Sequence, residues 1–575
     1  MKRIYILSFV FAAGLFVQNA VAQNLDPTVE VSRAYEGKIM EATKPVRDVN
    51  VPDSVGTFRL DFDYAVFENP YKGAYEFNPY QVSMRPSAAI YDPHTFYLKA
   101  GAGYRLYPEL DLIWSPSFKN GFNLDVYASH QSYVGDYRTL TLDGESGGQR
   151  VIVRDGKEKW NGYDLESKAG VAGRYDWKRG SFDFNANYYG LAGKTYLRSR
   201  SYDALDANIS IASNTDLATS FVYGVDLKYR YAKDKVKQDL GASDLKEHHA
   251  ALDAFVGPVL KNQYKILVYF GGELATYHSA ITGGGGRLYL APHYMLRKGR
   301  WFVDAGVKID AVLPAYSTMD QLYLSEKQQY AYPDVMVGFD AIKDALNIYA
   351  TVTGGARMNT YASILEEDHY ADYTHGSAML NTDLERVRTM LGFRGRVTNR
   401  FSYDIRGGYA VSAATLLPSV HLFEDKMLPS LGYSACQKAF AAFDWRLDTD
   451  SFKFDGTVAY THTWGYKSAD FLFAPAALTG NVALEYNWKR RIFAGVDCDF
   501  ATARKMVGFP EEAAAIASGV TVPGYADLGL SLEYAYNRKL SFWLRGGNLC
   551  CMTIQRTPLY AEGGISFTAG ICLNL

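Results

Sequence analysis

The sequence predicts an all-β protein: a transmembrane antiparallel β-barrel of about 22 strands, within a range of roughly 18 to 22, preceded by an irregular N-terminal segment. Three observations predict it. The final stretch alternates strictly between apolar and small or polar residues. Similar alternation recurs from about Phe96 onward. The connections between the alternating stretches are by turns short and polar, then long and irregular.

From Gly564 to Leu575 every odd position is apolar (Ile565, Phe567, Ala569, Ile571, Leu573, Leu575). Every even position is small or polar (Gly564, Ser566, Thr568, Gly570, Cys572, Asn574). A tilted strand of roughly 9–11 residues crosses a bilayer's hydrocarbon core, and only a closed sheet satisfies its backbone there. A barrel closing on its terminal strand is the reading this suggests. A soluble strand that happens to come last fits this stretch alone equally well, and the rest of the chain decides between them.

Residues 1–22 read as a secretory signal: Lys2 and Arg3, an apolar core from Ile4 to Val17, and Ala20-Val21-Ala22 before Gln23. No later apolar run approaches the ~18 residues of a membrane helix. The address is the cell outer membrane of a Gram-negative envelope, with its lipid as the first partner. Tyr (45), Phe (31) and Gly (51) are abundant and mean hydropathy is slightly negative, as expected where strands alternate. A net charge of −2 argues against nucleic acid as a partner. Five cysteines, Cys436, Cys498, Cys550, Cys551 and Cys572, are too scattered for a disulfide framework.

Residues 23–94 contain seven prolines and no sustained alternation. They are expected in the periplasm or folded back into the barrel as a reduced hatch. Thr28, Val29, Glu30, Val31 and Ser32 form a short β-prone stretch. It resembles a TonB box, which is offered to TonB by strand addition; an ordinary short strand in a tail is the plainer reading.

The barrel is expected over 95–575. Its strands are placed at about 95–104, 106–117, 122–134, 163–177, 181–192, 202–213, 218–232, 249–260, 264–277, 287–297 and 301–312. The second half continues at about 330–341, 346–355, 384–397, 401–412, 433–447, 452–464, 477–488, 492–502, 525–536, 540–549 and 564–575. Short polar turns such as Lys178-Arg179-Gly180, Lys489-Arg490-Arg491 and Asn537-Arg538-Lys539 are expected at the periplasmic end, often between aromatics (Trp177/Phe182, Trp488/Phe493). The long segments 135–160, 233–247, 313–329, 356–383, 413–432 and 503–524 are expected as irregular loops facing outward.

Leu540 to Leu549, L-S-F-W-L-R-G-G-N-L, is aromatic-rich and ends in Asn548-Leu549; Pro558-Leu559-Tyr560 and a Gly-led closing strand follow. This end of the chain resembles the last strands of TonB-dependent outer-membrane receptors, particularly Bacteroidota-type barrels. The resemblance implies a 22-strand fold, solute uptake or passage across the outer membrane, and TonB as a partner. The chain departs from that family in having only 72 residues between the expected cleavage site and the first strand, short for a full plug. A structural or accessory barrel that docks other envelope proteins is the alternative.

Arg386, Arg388, Arg394 and Arg396 share the face opposite Val387, Leu391, Phe393 and Val397; Arg406 and Asp404 share the corresponding face after the turn. If the apolar faces meet lipid, these arginines line the lumen, where guanidinium groups can bind carboxylate or phosphate. Pairing with lumen carboxylates such as Asp164, Glu166, Asp304, Asp310, Asp527 and Glu533 is the favoured reading. Glu366-Glu367-Asp368-His369, with Asp372 and His375, is expected as a solvated acidic loop. Gly283 to Gly286 is expected in a short outer loop. No G-x-S-x-G, H-E-x-x-H or phosphate loop occurs, so no catalytic residue, metal or cofactor is assigned and the chain is not read as an enzyme.

Overall fold

The computed structural model describes Thr95–Leu575, apart from 105–107, 119–120, 144–150, 195–197, 214–220, 239–240, 261–263, 318–322, 326–327, 344, 372–381, 399, 424–425, 468–470 and 509–518. The expected signal, the TonB-box-like residues and the whole 23–94 segment lie outside the described residues.

The strands run in chain order. The first six are β1 (Phe96–Gly103), β2 (Glu109–Trp114), β3 (Phe122–Asp143), β4 (Val151–Trp177), β5 (Gly180–Lys194) and β6 (Arg198–Ser213). Next come β7 (Phe221–Gln238), β8 (Gly241–Leu260), β9 (Tyr264–Ser279), β10 (Gly283–Lys298), β11 (Trp301–Ser317), β12 (Tyr323–Ser325) and β13 (Gln328–Ile342). They are followed by β14 (Leu346–Met358), the helix α1 (Tyr361–Glu367), β15 (Thr382–Thr398), β16 (Phe401–Phe423), β17 (Lys426–Asp448), β18 (Phe452–Lys467) and β19 (Phe471–Phe473). The last are β20 (Leu478–Trp488), β21 (Ile492–Ala501), β22 (Arg504–Gly508), β23 (Val520–Val522), β24 (Tyr525–Ala535), β25 (Leu540–Gly547) and β26 (Ser566–Asn574). Four are short rim pieces (β12, β19, β22, β23); the other 22 form the closed antiparallel barrel.

Each of the 22 expected strands overlaps one spanning strand. The ring closes where β26 pairs with β1, from Tyr97↔Asn574 to Gly103↔Thr568. In β26 the period-2 pattern separates the two environments. Ser566, Thr568, Cys572 and Asn574 are buried toward the lumen, whereas Phe567, Ile571 and Leu575 are exposed outward. Gly101 stands opposite Gly570 across this seam. A Cβ on either would lie within 3 Å of the Trp543 indole. Two glycines therefore leave the groove in which that ring covers the seam.

The short turns behave as expected. In the β20–β21 hairpin Lys489 and Arg490 both take positive φ, 52° and 55°, which matches strand twist in tight hairpins. The Asn487 side chain accepts a hydrogen bond from Arg490 N at 2.8 Å.

The long-loop end differs from expectation. β3 and β4 run through much of 135–160, β7 and β8 through most of 233–247, and β16 and β17 through most of 413–432. Gly283–Gly286 opens β10 and is paired on both sides, with β9 and β11. Beyond the apolar band a hairpin still satisfies its backbone by pairing, but neither face requires apolar residues, so the alternation fades while the strand continues.

Candidate functional site

The lumen face of the barrel carries most of its buried charge. Tyr289 donates to Asp253 at 2.6 Å, and Tyr349 donates to Asp404 at 2.9 Å. His293 lies between Asp304 (2.7 Å) and Asp334 (3.5 Å). Charged groups removed from water persist where partners satisfy them.

At the long-loop end two connections fold into the mouth. The first is residues 359–371. Asn359 and Thr360 end β14's outward course, and the Thr360 hydroxyl accepts from Ser363 N at 3.1 Å, capping α1. Met358, Tyr361, Ile364 and Leu365 pack on Tyr202, Val236, Leu245 and Tyr277 of the barrel wall. Wall polar groups meet the helix's free amides: Tyr277 OH accepts from Tyr361 N and Glu247 Oε2 accepts from Ala362 N, each at 3.2 Å. The Tyr361 hydroxyl donates to Asp234, which also pairs with Arg200 Nε at 3.2 Å. Arg200 also donates to the carbonyls of His369, at 2.7 Å, and Ala371; Arg198 donates to that of Tyr370.

The second connection is 548–565, between β25 and β26. Asn548 starts it in a left-handed turn (φ 41°), with Met552 N donating to its side-chain oxygen at 2.9 Å. Arg556 sits among Asp499 and Asp527 (3.2 Å each) and Glu562. Arg504 donates to the Arg556 carbonyl at 2.6 Å and to that of Gln555. The two connections touch. Thr557 Oγ1 donates to Asp368 Oδ1 at 2.9 Å, and the Tyr370 ring stacks on Tyr560. Burial raises the Asp368 carboxyl above its ordinary value, against the Thr557 hydrogen bond that lowers it.

A hydrogen-bonded strip completes the rim. β16 pairs with β19 (Ser419↔Leu472), β19 with β22 (Leu472↔Gly508), β22 with β23 (Arg504↔Val522) and β23 with β4 (Val520↔Val151). Among the spanning strands β16 is the fifteenth and β4 the fourth, so the strip links walls on opposite sides of a ring of 22. Its own residues Phe473, Met506, Val520 and Val522 form a buried apolar cluster.

The expected arginine wall lies on β15 and β16. Arg388 forms a two-pronged pair with Glu385 (2.7 and 2.8 Å) and lies over the Phe440 ring. Arg394 donates to Asn347 at 3.1 Å over the Tyr349 ring. Arg406 pairs with Asp444 and lies 3.9 Å from Asp404. Arg386, at a β-bulge, and Arg396 make no ion pair among the described residues. Three of the five arginines are thus held by neighbours.

The acidic loop expected in solvent is corrected. Glu366 pairs with Arg230 at 3.2 Å and Asp368 meets Thr557, so this segment docks inside the mouth; Asp372 and His375 lie outside the described residues. Sequence reasoning missed Arg200, Arg504 and Arg556 and gave Tyr560, noted within Pro558-Leu559-Tyr560, no contact of its own; Arg200 continues the alternation of Tyr202 and Ala204 in β6, whereas Arg504 and Arg556 carry no period.

No protein-family model matches the sequence, and no curated protein matches it. Solved structures do match in fold. One is the copper transporter OprC, 10% identical, with a TM-score of 0.61 over 84% of this chain and 80% of that one. Another is the siderophore receptor PiuA from Acinetobacter baumannii, 9% identical, TM-score 0.59, covering 84% and 81%. A third is the FrpB iron transporter from Neisseria meningitidis, F3-3 variant, 9% identical, TM-score 0.61, covering 84% and 81%. In fold, this chain is a closed 22-stranded antiparallel barrel similar to those of these transporters and receptors.

Proposed function

We propose that this protein is an outer-membrane barrel that takes up a solute across the outer membrane, with the 359–371 and 548–565 connections as its outward gate. The carrying observation is the way the mouth is filled. The two connections are buried in it and joined to the wall and to each other by hydrogen bonds, ion pairs and ring contacts, the first also by its apolar packing on the wall. Such contacts release when binding energy favours another arrangement. The apolar outward face of the strands fits a bilayer, and the neighbours' names support transport. Those names mention copper, iron and siderophores, so a metal ion or its chelate is the solute class to test first. Thr28, Val29, Glu30, Val31 and Ser32 are the stretch that would engage TonB, and Arg386, Arg388, Arg394, Arg396 and Arg406 are the lumen groups that would contact an anionic solute. In this reading residues 23–94 act as a reduced hatch.

Single-channel conductance in a planar bilayer tests this reading. Three proteins are compared: the mature chain, the chain without residues 24–94, and that truncation with 359–371 also replaced by a short Gly/Ser linker. The reading predicts a closed first protein and a large pore in the third. A third protein that stays closed would favour the accessory barrel.

A further inference from the structure

The outward face of β7 reads Phe221, Tyr223, Val225, Leu227, Tyr229, Tyr231, Lys233, Lys235 and Lys237. Its apolar and aromatic part spans eleven residues, about the length that crosses a hydrocarbon core. Three lysines follow at once, on the long-loop side. The register extends this into rows across neighbouring strands. One row runs Asp203, Lys233, Lys246, His278; the next runs Ser201, Lys235, Asp244; the third runs Lys194, Ser199, Lys237. Rows on one face are about 7 Å apart and strands about 4.8 Å apart, so the patch is headgroup-sized.

The carboxylates facing the patch are Asp203, which accepts from Tyr188 OH at 2.7 Å, and Asp244, which pairs with Lys233 at 3.6 Å. Among the described residues Lys194, Lys235, Lys237 and Lys246 make no ion pair. Lys233 and Lys246 stand directly opposite each other; like charges so placed destabilise a sheet, and among the described residues Asp244 pairs with Lys233 alone of the patch's lysines. Below them Tyr229 hydrogen-bonds His248 at 2.9 Å, and Tyr231 lies against the same ring. Such amphipathic rings mark the boundary between hydrocarbon and headgroups. On the opposite wall the outward positions at the long-loop end of β17 and β18, Ala435, Gln437, His462 and Trp464, are joined by a single lysine, Lys467, opposite Ala435, in place of three successive ones.

We propose that this face of β5–β8 docks an outer-leaflet lipid whose headgroup carries phosphate, with Lys233, Lys235, Lys237 and Lys246 as the phosphate contacts. The proposal rests on the outer-membrane reading. A lipid is favoured over a soluble anion because the lysines begin at the edge of the apolar band, where a headgroup lies when its acyl chains cover Tyr223, Val225 and Leu227.

The test is lipid retention by the full chain in detergent, read by native mass spectrometry. The probes are bisphosphorylated lipid A, its dephosphorylated form and inorganic phosphate. Wild type is compared with K235Q/K237Q/K246Q and with K489Q at the short-turn end. The expected result is selective retention of the bisphosphorylated lipid. Retention should fall roughly fivefold per lysine removed, as expected for one basic side chain beside an anionic headgroup, and K489Q should match wild type. Equal retention of both lipid forms, unchanged retention by the triple variant, or equal binding of inorganic phosphate would overturn the proposal. Heat-modifiable gel migration of the same samples keeps the two readings apart: normal migration with no selective retention sinks this proposal alone, and absent migration sinks the membrane reading.

Discussion

Thr557 donates its hydroxyl to the carboxylate of Asp368 at 2.9 Å, joining two connections 189 residues apart in sequence. Beside this bond Tyr370 stacks on Tyr560. Here the helical connection and the last connection meet through a donor and an acceptor side chain, and this contact serves as the latch of the proposed gate.

Thr557→Val removes the donor and keeps the shape. A lost hydrogen bond to a charged acceptor costs roughly 1.5–3 kcal/mol, so openings of the mouth should become about tenfold or more frequent. Conductance of the 24–94 deletion, with and without T557V, measures this; identical opening rates would show that the bond holds nothing.

The latch should also respond to pH. Asp368 has a raised carboxyl in the docked state, so the docked state binds protons more readily than the released one. Docking is then strongest below the ordinary carboxylate value of 3.8 and weakens as pH rises through the raised value. Protection factors of the 359–371 amides, the intrinsic exchange rate over the observed rate at the same pH, should be higher at pH 4 than at pH 7, and Asp368→Asn should flatten the difference.

Arg556→Ala leaves Asp499, Asp527 and Glu562 facing one another without a cation. Breaking a buried pair costs about 3–5 kcal/mol. The variant should still form a barrel, since β24–β26 pair independently of it. Its 548–565 connection should become cleavable by protease added to intact cells.

Gly570→Val places a Cβ 2.0 Å from the Ala100 carbonyl oxygen and 2.6 Å from Trp543. The seam between β1 and β26 cannot absorb that approach. The variant, like a chain lacking Gly564–Leu575, should fail to show heat-modifiable migration.

The arginine wall is tested by charge selectivity. In a pore opened by deletion of 24–94 and 359–371, R386Q/R396Q should shift the reversal potential toward cation preference. R388Q should shift it less, because Glu385 already neutralises Arg388.

Much of this architecture was legible in the chain. In β26, Phe567 and Ile571 alternate with Thr568 and Cys572 because one face meets an apolar surround and the other the lumen. The same constraint marks every spanning strand, so their number and places could be read. The arginine wall could be located by parity, but its partners could not. Arg388 turns to Glu385 on its own strand and Arg406 to Asp444 across the sheet, and parity says only which face a side chain shares.

The sequence by itself determined the barrel, its strand count and its closing seam, since these follow from a period of two repeated under one local constraint. The tertiary structure alone decided that 359–371 and 548–565 turn inward and latch through Thr557 and Asp368, and that β19, β22 and β23 tie β16 to β4. These contacts form between segments distant in the chain, and they depend on side chains meeting in space, which no local period records.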